Sequence, residues 1–281
     1  MQNESFLDAT LVVLGHGTVL NDQSAVPVFQ HAAELRRRGL FQEVREAFWK
    51  QEPQVRTLLA EVTTRRVFIV PVFISEGYFA SEVIPHGLGF GPPPATVSSP
   101  ERELHYCLPV GSHPSMTGVI LARAEGVVKQ FPFPRAPKPA DITLFIAGHG
   151  TGRNKNSRLA IERQVELIRA MNQYAGVHAV FMEEDARIGD CYQLATTKYA
   201  VMVPFFISDG LHAVEDIPVL LGEPEAQVKE RHAAGQPTWR NPTEKHGKLV
   251  WYSPSVGTES LLADVILERA KESARAAGAT T

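Results

Sequence analysis

"TLFIAGHGT", residues 143–151, repeats almost letter for letter as "TLVVLGHGT" at residues 10–18. In the later copy the apolar run Leu144 to Ala147 stops at Gly148, and a histidine follows. The run is too short and too apolar for an amphipathic helix, so it reads as a buried strand with His149 at its carboxyl end. His16 and His149 lie 133 residues apart (149 − 16). The same offset lays "VFIVPVFISEG" (67–77) over "AVMVPFFISDG" (200–210) and sets Val44 and Phe48 on Val177 and Phe181. It also brings Glu82, Ile84 and Pro85 onto Glu215, Ile217 and Pro218. Register kept over that length makes the chain an internal duplication.

Between the copies, "FPFPRAPKPA" (131–140) carries four prolines, which exclude a helix interior or a central strand and mark a linker. The expected repeats are therefore residues 1–135 and 136–281. Beyond the gapless stretch, "YCLPVG" ending at Gly111 matches "YSPSVG" ending at Gly257, an offset of 146 (257 − 111). The later repeat thus holds 13 extra residues (146 − 133), placed within 223–248, a polar, proline-punctuated stretch that reads as a long loop or a short helix plus loop. Elsewhere short apolar strands alternate with helical patterns such as "SRLAIERQVELIRAMNQ" (157–173), where Leu159, Ile161, Val165, Ile168 and Met171 approximate one face. The expected fold is α/β: two tandem doubly wound, flavodoxin-like domains, each with a mostly parallel four-stranded sheet in the order 2-1-3-4.

Composition narrows the partners. With 281 residues, 44% apolar, 21% charged and a net charge of −3, the chain is ordinary globular material with no attraction for a polyanion. No basic run interleaved with aromatics suggests nucleic acid, and no apolar run approaches bilayer length. The start, "MQNESFLDAT", lacks the features of a secretory signal, so a cytoplasmic setting is expected. Two cysteines, Cys107 and Cys191, are too few for a disulfide framework and read as small core residues.

In the expected topology the chain reverses direction between strands 1 and 3, which opens a crevice at their carboxyl ends. His149 ends strand 1 of the later repeat, His212 follows strand 3 in "DGLHAVEDIP", and Glu183 ends strand 2. A single histidine between glycines is more often a packed turn residue than a ligand. Two imidazoles and a carboxylate converging on one mouth instead suit a borderline divalent ion. The duplication supplies a control: His149 matches His16, whereas Glu183 matches Lys50 and His212 matches Phe79. A cation and a benzene ring cannot ligate such an ion. The chemistry is therefore assigned to the later repeat, with His16 a substrate contact or a relic.

"LFIAGHGT", "VFMEE" and "VPFFISDGLHAVEDIP", with their first-half equivalents, resemble the sirohydrochlorin cobaltochelatase family of class II tetrapyrrole chelatases, in a two-repeat form. The resemblance runs roughly from residue 8 to 222 and weakens beyond. It implies a lyase of cobalamin or siroheme biosynthesis that inserts Co2+, or in close relatives Fe2+ or Ni2+, into sirohydrochlorin or a related tetrapyrrole without ATP. It also implies no cofactor beyond the metal substrate, and His149, His212 and Glu183 as metal-binding and catalytic residues. The family's long forms often keep their working histidines in the first half, where this chain has Phe79. A flat polyanionic substrate calls for apolar walls and cations, for which Arg153, Lys155, Arg231 and Arg240 are candidates. Which histidine is base and which is ligand stays open, as does the choice of metal.

Other classes fare worse. A phosphoglycerate-mutase chemistry needs an arginine before the histidine, where Leu14-Gly15 and Ala147-Gly148 stand, and neither "GHGTVL" nor "GHGTGR" has dinucleotide-binding spacing. The non-enzyme alternative is a tetrapyrrole or metal carrier, which would bind both substrates without accelerating their union. One chain could close a cleft from its own halves, so a monomer suffices and a homo-oligomer stays open.

Overall fold

A computed structural model describes residues 6–18, 24–150 and 155–278. The first repeat forms β1 (Phe6–Gly15), β2 (Phe41–Phe48), β3 (Arg66–Pro71), β4 (Ala95–Ser98) and β5 (Glu103–Tyr106). Between and after them lie α1 (Val26–Arg38), α2 (Val55–Glu61), α3 (Ile84–Gly87) and α4 (Met116–Gln130). The second repeat contributes β6 (Ile142–Gly148), β7 (Gly176–Phe181), β8 (Tyr199–Pro204), β9 (Thr243–Lys245) and β10 (Lys248–Tyr252). Its helices are α5 (Asn156–Ala170), α6 (Cys191–Leu194), α7 (Ile217–Leu220), α8 (Glu225–Ala233) and α9 (Leu262–Gly278).

All seven residues of β6 are buried, as expected of a central parallel strand covered on both faces. Leu144, Phe145 and Ile146 have no exposed surface, which stabilises the sheet by roughly 2 kcal/mol each. The sheets run β2-β1-β3-β5-β4 and β7-β6-β8-β10-β9. Each therefore has five strands rather than the expected four. The additional strand is an antiparallel edge, β4 against β5 and β9 against β10. At three or four residues, none of them buried, β4 and β9 are too short for an apolar alternation to announce them. The remaining strands are parallel in the expected order. Beside β6, Gly148 pairs with Phe181 and Ala147 with Pro204, so the ends of β7 and β8 flank His149.

Helix α5 buries Ala160, Ile161, Gln164, Val165 and Ile168, while Leu159 and Met171 are exposed and lie off the face assigned to them. The 13 extra residues fall where α8 precedes β9; because the first repeat has the equivalent edge strand β4 but no helix of this kind before it, the insertion is the helix α8.

The chain divides by packing into two compact units, residues 1–116 with 260–281, and residues 117–259. The expected division at 135/136 follows the repeated sequence and the proline linker. The packing units differ from it because the last helices of the two repeats trade places. In the first unit Arg269 of α9 is buried and donates to the Pro109 carbonyl (3.0 Å) and the Ser112 hydroxyl (2.9 Å), while Asp264 pairs with Arg38 of α1. In the second, Arg123 of α4 donates to the Ser255 carbonyl (2.9 Å), and the indole N–H of Trp251 on β10 donates to the Phe131 carbonyl (2.9 Å). Buried donors of this kind fix each helix to its sheet, because leaving them unpaired costs about 1–3 kcal/mol apiece. Both cysteines are buried, and burial pushes each thiol up to about 12, which suits the core role read from the sequence. Among the described residues no helix is long and apolar enough to cross a membrane.

Candidate active site

At the end of β6 the ladder continues beyond the strands: the Met182 amide donates to the Gly148 carbonyl (3.0 Å) and the Glu183 amide to the His149 carbonyl (3.1 Å). This holds Glu183 alongside His149. Gly150 follows at φ +65°, and a Cβ there would lie 2.8 Å from that of Phe181, so the turn accepts only glycine without strain. The His149 Nε2 stands 3.8 Å from Glu183 Oε1, and its Nδ1 faces the Gly150 carbonyl at 3.4 Å.

His212 arrives from β8 on a five-residue π turn, His212–Asp216, in which the Ile217 N–H donates to the His212 carbonyl. Pro218 explains the wide turn, because its ring crowds the carbonyl four residues back and displaces it from α-helical pairing. The turn sets the His212 ring edge-on to that of His149, with centroids 5.0 Å apart and planes at 77°. The Phe206 ring also lies near that of His212, with centroids 6.2 Å apart. The three residues predicted to converge do so at one strand-end mouth.

Two donors about 2.1 Å from one ion can stand up to about 4.2 Å apart, so the His149–Glu183 pair has the reach of a shared ligand set. As they stand, no three or more His, Cys, Asp or Glu side chains among the described residues are arranged to hold an ion. Closing the trio takes side-chain rotation. The side chains have room for it, with His149 35%, His212 50% and Glu183 59% exposed. Sequence reasoning missed Asp216, whose Oδ2 lies 2.6 Å from His212 Nδ1; the His-x-x-x-Asp spacing on one helical turn was the available signal. Glu183, Asp216 and Met182 also line a cavity of about 430 Å³, to which Val228 and Lys229 of α8 contribute. Glu184, beside Glu183, is held by Arg158 at 3.1 Å, and that guanidinium lies over the Phe181 ring.

The equivalent place in the first unit is filled differently. His16 packs edge-on against Phe79 (4.7 Å) and Phe73 (6.2 Å), and Lys50 Nζ sits over the Phe79 ring at 4.9 Å. Burial lowers the His16 pKa, Lys50 adds to that, and the hydrogen bond with the Gly17 carbonyl opposes them. Of the expected substrate cations, Lys155 is exposed just before α5 and Arg240 is exposed, while Arg153 lies outside the described residues. Arg231 is a correction. It is mostly buried and spends its charge on Glu223 at 2.9 Å, fastening α8 to the loop before it. Burial raises the Glu223 pKa, but hydrogen bonds from Lys245 and Arg231 outweigh it and hold that carboxyl below the usual range.

Comparison with known proteins gives a consistent result. The CbiX family profile matches residues 10–127 and 143–273, one match per repeat. A probable sirohydrochlorin cobaltochelatase of Halobacterium salinarum is 41% identical over 283 aligned residues, covering 95% of this chain and 92% of the relative. The sirohydrochlorin cobaltochelatase of Methanopyrus kandleri is 27% identical over 139 residues, 47% of this chain and 96% of its own length, so that relative is about one repeat long. Among solved structures, a multi-domain protein of Deinococcus radiodurans, described as similar to chelatases with two additional novel domains, superposes with a TM-score of 0.76 at 31% identity. The match covers 94% of this chain but 55% of that one. SirB of Bacillus subtilis with Fe3+ superposes with a TM-score of 0.66 at 13% identity and supports the fold alone.

Proposed function

The chain belongs to the CbiX family, and on that footing we propose that it is a chelatase that inserts a divalent metal ion, cobalt before iron or nickel, into sirohydrochlorin without ATP. The observation that carries the assignment to the second unit is the meeting of His149, His212 and Glu183 at one strand-end mouth, where the first unit has His16, Phe79 and Lys50.

Metallation replaces two pyrrole N–H protons with one M2+ and releases two H+. The ion must therefore be held loosely and a base must stand near. Neutral imidazoles bind a borderline ion without cancelling its charge, and a partly water-filled coordination sphere leaves positions for ring nitrogens. His149 and His212 hold the ion or take the first proton, and the exposed Glu183 carboxylate passes protons to water. Lys155, Arg153 and Arg240 are the cations offered to the substrate's carboxylates, and His16 is a further substrate contact. The reaction belongs to cobalamin or siroheme biosynthesis in a cytoplasmic setting, with no cofactor beyond the metal substrate.

The test is anaerobic insertion of Co2+ into sirohydrochlorin, followed by absorbance. His149→Ala and His212→Ala are expected to lower the rate about 100-fold or more, and His16→Ala by no more than about 3-fold. Unchanged rates in the first two remove the assignment. A chain that binds both substrates without exceeding the uncatalysed rate is a carrier instead.

A further inference from the structure

We propose that Asp216 is a positioning residue for the metal step: it fixes the proton of His212 on Nδ1 and so keeps the Nε2 lone pair available to the ion. The inference rests on the reading of His149 and His212 as the ion's site. An ionised carboxylate only accepts hydrogen bonds, so the 2.6 Å contact between Asp216 Oδ2 and His212 Nδ1 places the proton on that nitrogen. A neutral imidazole left to itself exchanges between two tautomers and flips about its ring bond, and only one arrangement offers a lone pair in a given direction. The carboxylate removes that freedom, much as a carboxylate behind a ligating histidine does at zinc centres.

The surroundings sharpen the case. Both partners sit four residues apart on the π turn, so the backbone that delivers the ring also delivers its acceptor. The rings of His149 and Phe206 both pack near His212, at 5.0 and 6.2 Å, and limit its swing. Glu215, the neighbouring carboxylate, is not spare for this task, because it takes the imidazole of His232 on α8. The first repeat supplies the control. At the common offset of 133, Glu82 matches Glu215, yet Val83 stands where Asp216 does and Phe79 where His212 does. The acceptor is absent where the ring has no nitrogen to orient, while its neighbour is kept.

The test uses the full chain with Asp216→Val, which installs the first-repeat residue, and Asp216→Asn, which keeps an acceptor oxygen. Cobalt binding is followed without tetrapyrrole by the d–d absorption of Co2+. Steady-state rates are then measured with each substrate varied. Asp216→Val is expected to weaken cobalt binding about 10–100-fold and to raise KM for cobalt in step, with KM for sirohydrochlorin unchanged. Asp216→Asn should recover part of the loss. Because Asp216 is about half exposed, both variants should melt like the native chain. Native cobalt affinity in Asp216→Val alongside lost binding in His212→Ala overturns the inference alone. Native affinity in His212→Ala itself overturns the site reading and this inference with it.

Discussion

His16 and His149 follow the same strand in the same turn, and what separates them is their company. One packs against two phenylalanines beneath a lysine; the other faces a second imidazole and a carboxylate. The difference is small enough to reverse. Phe79→His together with Lys50→Glu should give the first unit a second cobalt site, weaker than the native one by about 10-fold or more because Val83 offers no acceptor. Isothermal titration reads this directly, and a double variant that still binds one ion contradicts it. The meeting of His149, His212 and Glu183 was legible because duplication turned one sequence into its own control. Arg231 was not, since its charge is consumed by Glu223, eight residues earlier across a helix that the sequence marked only as loop or short helix. Asp216 was visible in principle by its spacing from His212, but a carboxylate among Glu215 and Asp216 reads as solvated polarity until its partner is seen.

At the scale of elements, the loop from β8 to the π turn decides where His212 stands, and a glycine from a distant segment braces it. Gly257, in the short 3-10 turn Val256–Thr258, donates its N–H to the Phe206 carbonyl at 3.1 Å. A Cβ at Gly257 would fall 1.6 Å from the Ile207 carbonyl oxygen, and Gly111 meets Ile74 in the same way at 1.8 Å in the first unit. Backbone cannot rotate aside as a side chain can. Gly257→Ala is therefore expected to destabilise the fold by about 3 kcal/mol and to lower insertion activity by moving the His212 loop. Thermal unfolding and the insertion assay check it together, and native values in both contradict it. The central parallel strands were legible from their continuous apolar runs. The edge strands β4 and β9 were not, because they are short, have no buried residue and are held by pairing with one neighbour.

For the whole molecule, duplication gave two scaffolds, of which the proposed function assigns the chemistry to one, and the repeats exchange their final helices. The exchange was illegible because α4 and α9 are both amphipathic helices after equivalent strands, and either pattern fits either sheet. The contacts that decide it, such as Trp251 to the Phe131 carbonyl and Arg269 to the Pro109 carbonyl, join residues far apart in sequence. A fragment of residues 117–259 should accordingly melt cooperatively, while one of residues 136–281, which lacks α4, should not. Equal cooperativity in the two would contradict the exchange. The central claim, one ion site in a two-repeat chain, is tested most directly by equilibrium titration of the native protein with Co2+ in parallel with His149→Ala, His212→Ala and His16→Ala. One ion per native chain is predicted, lost in the first two variants and kept in the third. Two ions per chain, or a single site lost in His16→Ala and kept in His149→Ala, would contradict it.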